Sequence, residues 1–92
     1  MEREDIIAFL RSKKPELRER FGVEKIVLFG SYARNEATEE SDIDLLVTMR
    51  PSFENFFSLQ DYLEKAFDKK VDLGTKLRKF IAQKAQKEMI EI

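Results

Sequence analysis

A chain of 92 residues without Cys or His has neither disulfides nor thiolate or imidazole chemistry, so any catalysis falls to carboxylates, hydroxyls, Lys and Arg. Its 17 Lys plus Arg are balanced by 18 Asp plus Glu, and a net charge of −1 argues against stable binding of long nucleic acid, whose phosphates demand a basic surface. With 42% apolar residues, the length suits one small domain over residues 1–92 and excludes a whole template-dependent polymerase.

Over residues 2–13, Ile6, Ile7 and Leu10 recur at helical spacing with charges between them, which predicts a helix with one packed face. Pro15 is expected to interrupt it or to start a second short helix, with Leu17 and Phe21 on the buried side and Gly22 as a left-handed stop. Residues 26–29 are β-branched and aromatic without alternation, the pattern of a strand covered on both faces. Gly30-Ser31 then opens a helix of a turn or two, ending near Asn35, a residue that tolerates positive φ.

After an acidic loop, residues 43–48 read as a strand with Ile43, Leu45 and Val47 on one face and Asp42, Asp44 and Leu46 on the other. Arg50-Pro51-Ser52 stops it, and Ser52 is placed to cap the next helix. That helix, over residues 53–67, is the longest amphipathic segment, with Phe56, Leu59, Leu63 and Phe67 at three- and four-residue steps. Val71-Asp72-Leu73 is a short strand ended by Gly74, and Leu77, Ile81, Ala85 and Met89 predict a final helix over about 77–89. No apolar run has the length of a membrane span and the acidic N-terminal segment is unlike a secretory signal, so a cytoplasmic location without membrane association is expected.

Chemistry is concentrated in three places. Gly30-Ser31, between a strand and a helix, suits close approach of phosphate oxygens to backbone N–H groups, although such a pair by itself is more often only a turn. Asp42 and Asp44 share a strand face and repel by about 1–4 kcal/mol at roughly 4 Å, which a hard divalent cation of the Mg²⁺ type relieves. The plainer alternative is a turn cap at Asp42 and a solvated edge carboxylate at Asp44. Asp72 sits in an apolar strand with no turn or cap to explain it, its own alternative being a solvent-facing strand residue. Taken together, the three features compose a site for metal-assisted phosphoryl or nucleotidyl transfer, in which two ions clamp the attacking and leaving oxygens.

Gly30-Ser31, ten intervening residues and Asp42-Ile43-Asp44 resemble the nucleotidyltransferase superfamily built like the palm of DNA polymerase β. The small size, the run Phe29-Gly30-Ser31-Tyr32-Ala33-Arg34 and Val71-Asp72-Leu73 are similar to its minimal members, the MNT-domain proteins paired with HEPN-domain toxins. The resemblance runs from about Val23 to the last predicted helix. It implies an α/β (α+β) fold with a short mixed sheet flanked by helices, ATP or another NTP as donor, and two Mg²⁺ ions. Asp42, Asp44 and Asp72 would be catalytic residues and metal ligands, with Asp72 also a candidate base for the incoming hydroxyl. Gly30 and Ser31 would hold the triphosphate. Arg34, with Lys76 and Lys79, is a candidate to assist it, although charged residues on a helix are more often only a solvated face.

The resemblance further implies an antitoxin that transfers AMP to a hydroxyl of its HEPN toxin, in a homo- or hetero-oligomer. Eight Phe in so short a chain leave aromatic surface for such a partner. Asn35 departs from the Gly that similar proteins carry there, but Asn can adopt the same left-handed backbone. Two alternatives stand beside this reading: an antitoxin that neutralises by binding alone, and an enzyme modifying a small molecule such as an aminoglycoside.

Overall fold

In the computed structural model of the chain, which describes residues 1–75 and 89–92, the elements follow in the order α1 (Arg3–Phe21), β1 (Val23–Phe29), α2 (Gly30–Ala33), β2 (Ile43–Met49), α3 (Phe53–Phe67), β3 (Val71–Gly74) and β4 (Ile90–Glu91). The strands form one mixed sheet in the order β3-β2-β1-β4, antiparallel except for the β2–β3 pair. A parallel pair needs a crossover, and α3 supplies it. The expected short mixed sheet flanked by helices is therefore the fold observed.

The predicted break at Pro15 does not occur: Pro15 lies inside α1, which continues to Phe21. The reason is the buried stripe of Ile6, Leu10, Leu17 and Phe21, which stays on one face only if the helix is unbroken. Burying Leu17 and Phe21 contributes about 1.5–3 kcal/mol each, enough to offset the roughly 3 kcal/mol cost of an interior proline. Gly22 ends the helix at φ 74°, its N–H donating to the Arg18 carbonyl at 3.0 Å. The helix is tied to α3 by Tyr62, whose hydroxyl donates to the Glu16 carboxylate at 2.8 Å, and by the edge-to-face rings of Phe9 and Phe67.

Strand β1 begins three residues before the predicted start, and it alternates: Ile26 and Leu28 are fully buried while Val27 and Phe29 are half-buried. The expectation of equal cover on both faces is corrected accordingly, because a strand with antiparallel neighbours on both sides needs only one packed face. Ile43, Leu45 and Val47 of β2 and Val71 and Leu73 of β3 join Ile26 and Leu28 in the core that also takes in α1 and α3. Helix α3 has the predicted bounds, and Ser52 Oγ accepts from the Asn55 N–H at 3.2 Å as its N-cap.

Phe56, Leu59, Leu63 and Phe67 turn inward along α3, whereas Phe53 and Phe57 are 84% and 60% exposed. With Met49, Pro51 and Phe56 those two rings line a groove of about 620 Å³. Strand β4 was not foreseen; Ile90-Glu91 pairs with Val27 and Leu28, and the Ile92 N–H donates to the Ile26 carbonyl at 2.9 Å. The final helix expected over 77–89 lies outside the described residues except at Met89, which is in neither helix nor strand. Among the described residues, no helix is long and apolar enough to cross a membrane.

Candidate active site

The end of β1 and the start of β2 meet here, because Phe29 is the cross-strand partner of Asp44. The next residue, Gly30, adopts φ 75° and opens α2, a single turn closed by the Arg34 N–H on the Gly30 carbonyl at 3.1 Å. Asn35 leaves that turn at φ 60°, the left-handed conformation expected of it, and the Glu36 N–H donates to the Ser31 carbonyl at 2.8 Å. Tyr32 and Ala33 are buried on the inner side of the turn, so Tyr32 packs. A Cβ on Gly30 would run into the Asp44 side chain, reaching within 3.0 Å of its Cγ and 3.2 Å of its Cβ. The Gly-Ser turn and the second aspartate are thus in direct contact.

The third aspartate arrives through the parallel register. Ile43 pairs with Val71 and Asp44 with Asp72, and the Ile43 N–H donates to the Lys70 carbonyl at 3.0 Å. Ile43 and Val71 are fully buried on the core face, so alternation puts Asp44 and Asp72 together on the opposite one. The Asp44 carboxyl is pushed up to about 6, first by its own partial burial, then by the charges of Asp72 and Asp42 and a hydrogen bond with Asp72; the Arg34 guanidinium pulls the other way. Asp42, exposed at the entrance to β2, is within electrostatic reach of this pair.

The loop between Asn35 and Asp42 is held by its own short contacts. The Thr38 N–H donates to Ser41 Oγ at 2.9 Å and the Ser41 N–H returns a bond to the Thr38 carbonyl at 3.1 Å. From the segment before β3, Lys69 donates to the Glu39 carbonyl at 2.7 Å and sits 5.9 Å from the centre of the Tyr32 ring. Sequence reasoning missed Lys69, since nothing in a Lys69-Lys70 pair before a strand marks one of them as a loop anchor.

Of the residues expected at a nucleotidyl-transfer site, Gly30, Ser31, Asp42, Asp44 and Asp72 fall in one region, and Arg34 is near enough to lower the Asp44 pKa while pairing with Glu36 at 3.3 Å. Lys76 and Lys79 lie outside the described residues. Among the described residues, no three carboxylates stand close enough together to form a ready-made ion cage. The donor chemistry nonetheless suits a hard cation: oxygen ligands only, with Asp44 and Asp72 side by side and the Asp72 charge helping to raise the proton affinity of Asp44. Such an arrangement can bind a phosphate-bearing ligand together with a divalent ion, and can accept a proton.

Residues 10–92 match the family model described as nucleotidyltransferase domain. Protein adenylyltransferase MntA of Thermococcus cleftensis is 44% identical over 97% of this chain and 94% of its own length. A solved structure provisionally described as a minimal nucleotidyltransferase superposes with a TM-score of 0.82 at 29% identity, covering 100% of this chain and 97% of the other. A crystal structure of a toxin-antitoxin with AMP-PNP superposes with a TM-score of 0.67 at 25% identity, over 99% of this chain and 72% of that one. The match over nearly the whole chain, on a fold that brings the Gly-Ser turn against the strand aspartates, places this protein in the nucleotidyltransferase domain family, as a nucleotidyltransferase enzyme.

Proposed function

We propose that this enzyme moves AMP from ATP to a hydroxyl of a partner toxin of the HEPN class and so acts as its antitoxin, with residues 1–92 working as one catalytic domain. The observation that carries the reading is the pairing of Asp44 with Asp72 across β2 and β3, on the face that Gly30 abuts. The relative named protein adenylyltransferase supports a protein acceptor, and the AMP-PNP in a toxin-antitoxin neighbour supports an adenine nucleotide as donor.

Gly30 and Ser31 bind the triphosphate, the glycine by leaving room for the Asp44 carboxylate against the turn and the serine through its hydroxyl. Arg34 faces the same charge. Asp42 and Asp44, with Asp72, are the residues that would hold Mg²⁺, which when bound supplies charge neutralisation for the triphosphate and its leaving group. Asp72 is exposed to an incoming acceptor and takes its proton. The acceptor oxygen then forms a bond to the α-phosphorus while the bond to the β-phosphate oxygen breaks, and pyrophosphate leaves from the Gly30-Ser31 turn. The exposed Phe53 and Phe57 offer apolar surface for the partner that brings the hydroxyl.

The test is mass spectrometry of a HEPN-domain toxin co-expressed with this protein, then incubated with ATP and Mg²⁺. A gain of one or more AMP units with the wild type, absent with Asp42→Ala combined with Asp44→Ala, is the expected result. No gain with the wild type would contradict the proposal. If the double variant still protected cells from the toxin as well as the wild type, neutralisation by binding alone would replace it.

A further inference from the structure

Strand β3 is the outer strand on one side of the sheet, and the ladder fixes which of its backbone groups turn away from β2. Because the Ile43 N–H donates to the Lys70 carbonyl, Lys70 and Asp72 direct their backbone groups toward β2 and Val71 directs its own outward. An outward N–H and C=O on an edge strand ordinarily face water or another chain. Here both are met by side chains of α3. The Val71 N–H donates to Glu64 Oε2 at 3.0 Å, and Gln60 Nε2 donates to the Val71 carbonyl at 3.0 Å. Gln60 and Glu64 are four residues apart, one turn of helix, so they present a donor and an acceptor at strand-like spacing and stand in for a further strand. The same turn closes the connection, since the Lys69 N–H donates to the Glu64 carbonyl at 3.3 Å.

We infer that Gln60 and Glu64 are positioning residues for nucleotidyl transfer, fixing Val71 so that the next residue, Asp72, stays level with Asp44. The inference rests on the proposed role of Asp72 as the acceptor's base. Val71 is held from three sides: by the core through its buried side chain, by β2 through the neighbouring residues of the ladder, and by α3 through both peptide groups. Register matters more here than in a long strand. β3 has only four residues, and a slip of one would send Asp72 toward the core and Val71 out of it. The Gly30-Ser31 turn and Asp44, which carry most of donor binding, are also held together by the β1–β2 ladder and by the packing of Asp44 on Gly30. Loosening β3 should therefore slow transfer while leaving ATP binding in place.

The experiment compares the full chain as wild type, Gln60→Met, Glu64→Met and Glu64→Gln, the last keeping an acceptor for the Val71 N–H without the charge. Amide exchange at Val71 is read by NMR, and steady-state AMP transfer from ATP to a HEPN-domain toxin gives kcat and KM. Glu64→Met is expected to speed Val71 exchange about tenfold or more and to lower kcat about 10- to 100-fold, with KM for ATP within about twofold. Gln60→Met should show the same split at smaller size, and remains informative if Glu64→Met does not fold. Glu64→Gln should restore most of the rate. Faster Val71 exchange with an unchanged kcat would overturn the inference, as would a Glu64→Gln variant as slow as Glu64→Met, which would make the effect one of charge. A wild type that transfers nothing would overturn the proposed function and this inference together; failure of the inference alone is recognised by transfer at the wild-type rate in every variant.

Discussion

The side chain of Asp44 occupies the space that a Cβ on Gly30 would need, with Cγ 3.0 Å from that position, and Gly30 is at φ +75°. Two independent constraints therefore select glycine. Gly30→Ala should destabilise the fold by about 1–3 kcal/mol, from the left-handed backbone and from displacement of the carboxylate. In urea unfolding, adding Asp44→Ala to Gly30→Ala should cost less than the sum of the single changes, since the truncated residue no longer meets the new methyl. Strict additivity would mean that the contact carries no weight.

The raised pKa of Asp44 gives stability a pH signature. Its value of about 6 in the folded protein, against 3.8 unperturbed, means that the native state binds this proton more tightly than the unfolded chain. The resulting stabilisation is fully present below about pH 4 and is lost as pH rises through about 6. Asp44→Asn, which mimics the protonated form, should therefore be more stable than wild type at pH 7, by about 1 kcal/mol or less because the group is partly solvated and screened. The advantage should vanish at pH 4, as read from urea midpoints at the two pH values; an equal advantage at both would contradict the account.

The same crowding predicts a response to Mg²⁺. A cation shared by Asp44 and its neighbours binds the ionised form, so millimolar Mg²⁺ should raise the thermal midpoint at pH 7 by a few degrees and have much less effect at pH 4.5. Asp42→Ala with Asp44→Ala should abolish the response. A thermal shift that survives in the double variant would place the ion elsewhere.

Much of this was readable in the chain because the signals were local. The period of α3, its Ser52 cap, the Asn35 turn and the alternation of Ile43, Leu45 and Val47 around Asp44 each follow from residues a few positions apart. What escaped was set by distant partners. Pro15 reads as a breaker until Leu17 and Phe21 are seen to share a core with Ile6 and Leu10, and β4 is too short to announce itself without β1 beside it. Asp72 could be suspected from its apolar neighbours, but its place opposite Asp44 is a matter of register, which no single strand encodes. Gln60 and Glu64 look like ordinary polar positions of an amphipathic helix until the Val71 peptide groups are found on them.

Pro15 itself offers a test of the packing argument. If the buried stripe holds α1 together against an intrinsic penalty, Pro15→Ala should restore a main-chain donor and stabilise the protein by about 1–2 kcal/mol in urea unfolding. Destabilisation would show that the proline is favoured where it stands.

The central claim is that Asp72, brought level with Asp44 by the β2–β3 register, completes a nucleotidyl-transfer site begun at Gly30. Asp72→Asn tests it most directly, through single-turnover transfer of AMP from ATP to a HEPN-domain toxin alongside calorimetric binding of AMP-PNP with Mg²⁺. The account predicts transfer slowed by about 100-fold or more while AMP-PNP binding weakens only severalfold. Transfer at the wild-type rate in Asp72→Asn would contradict it.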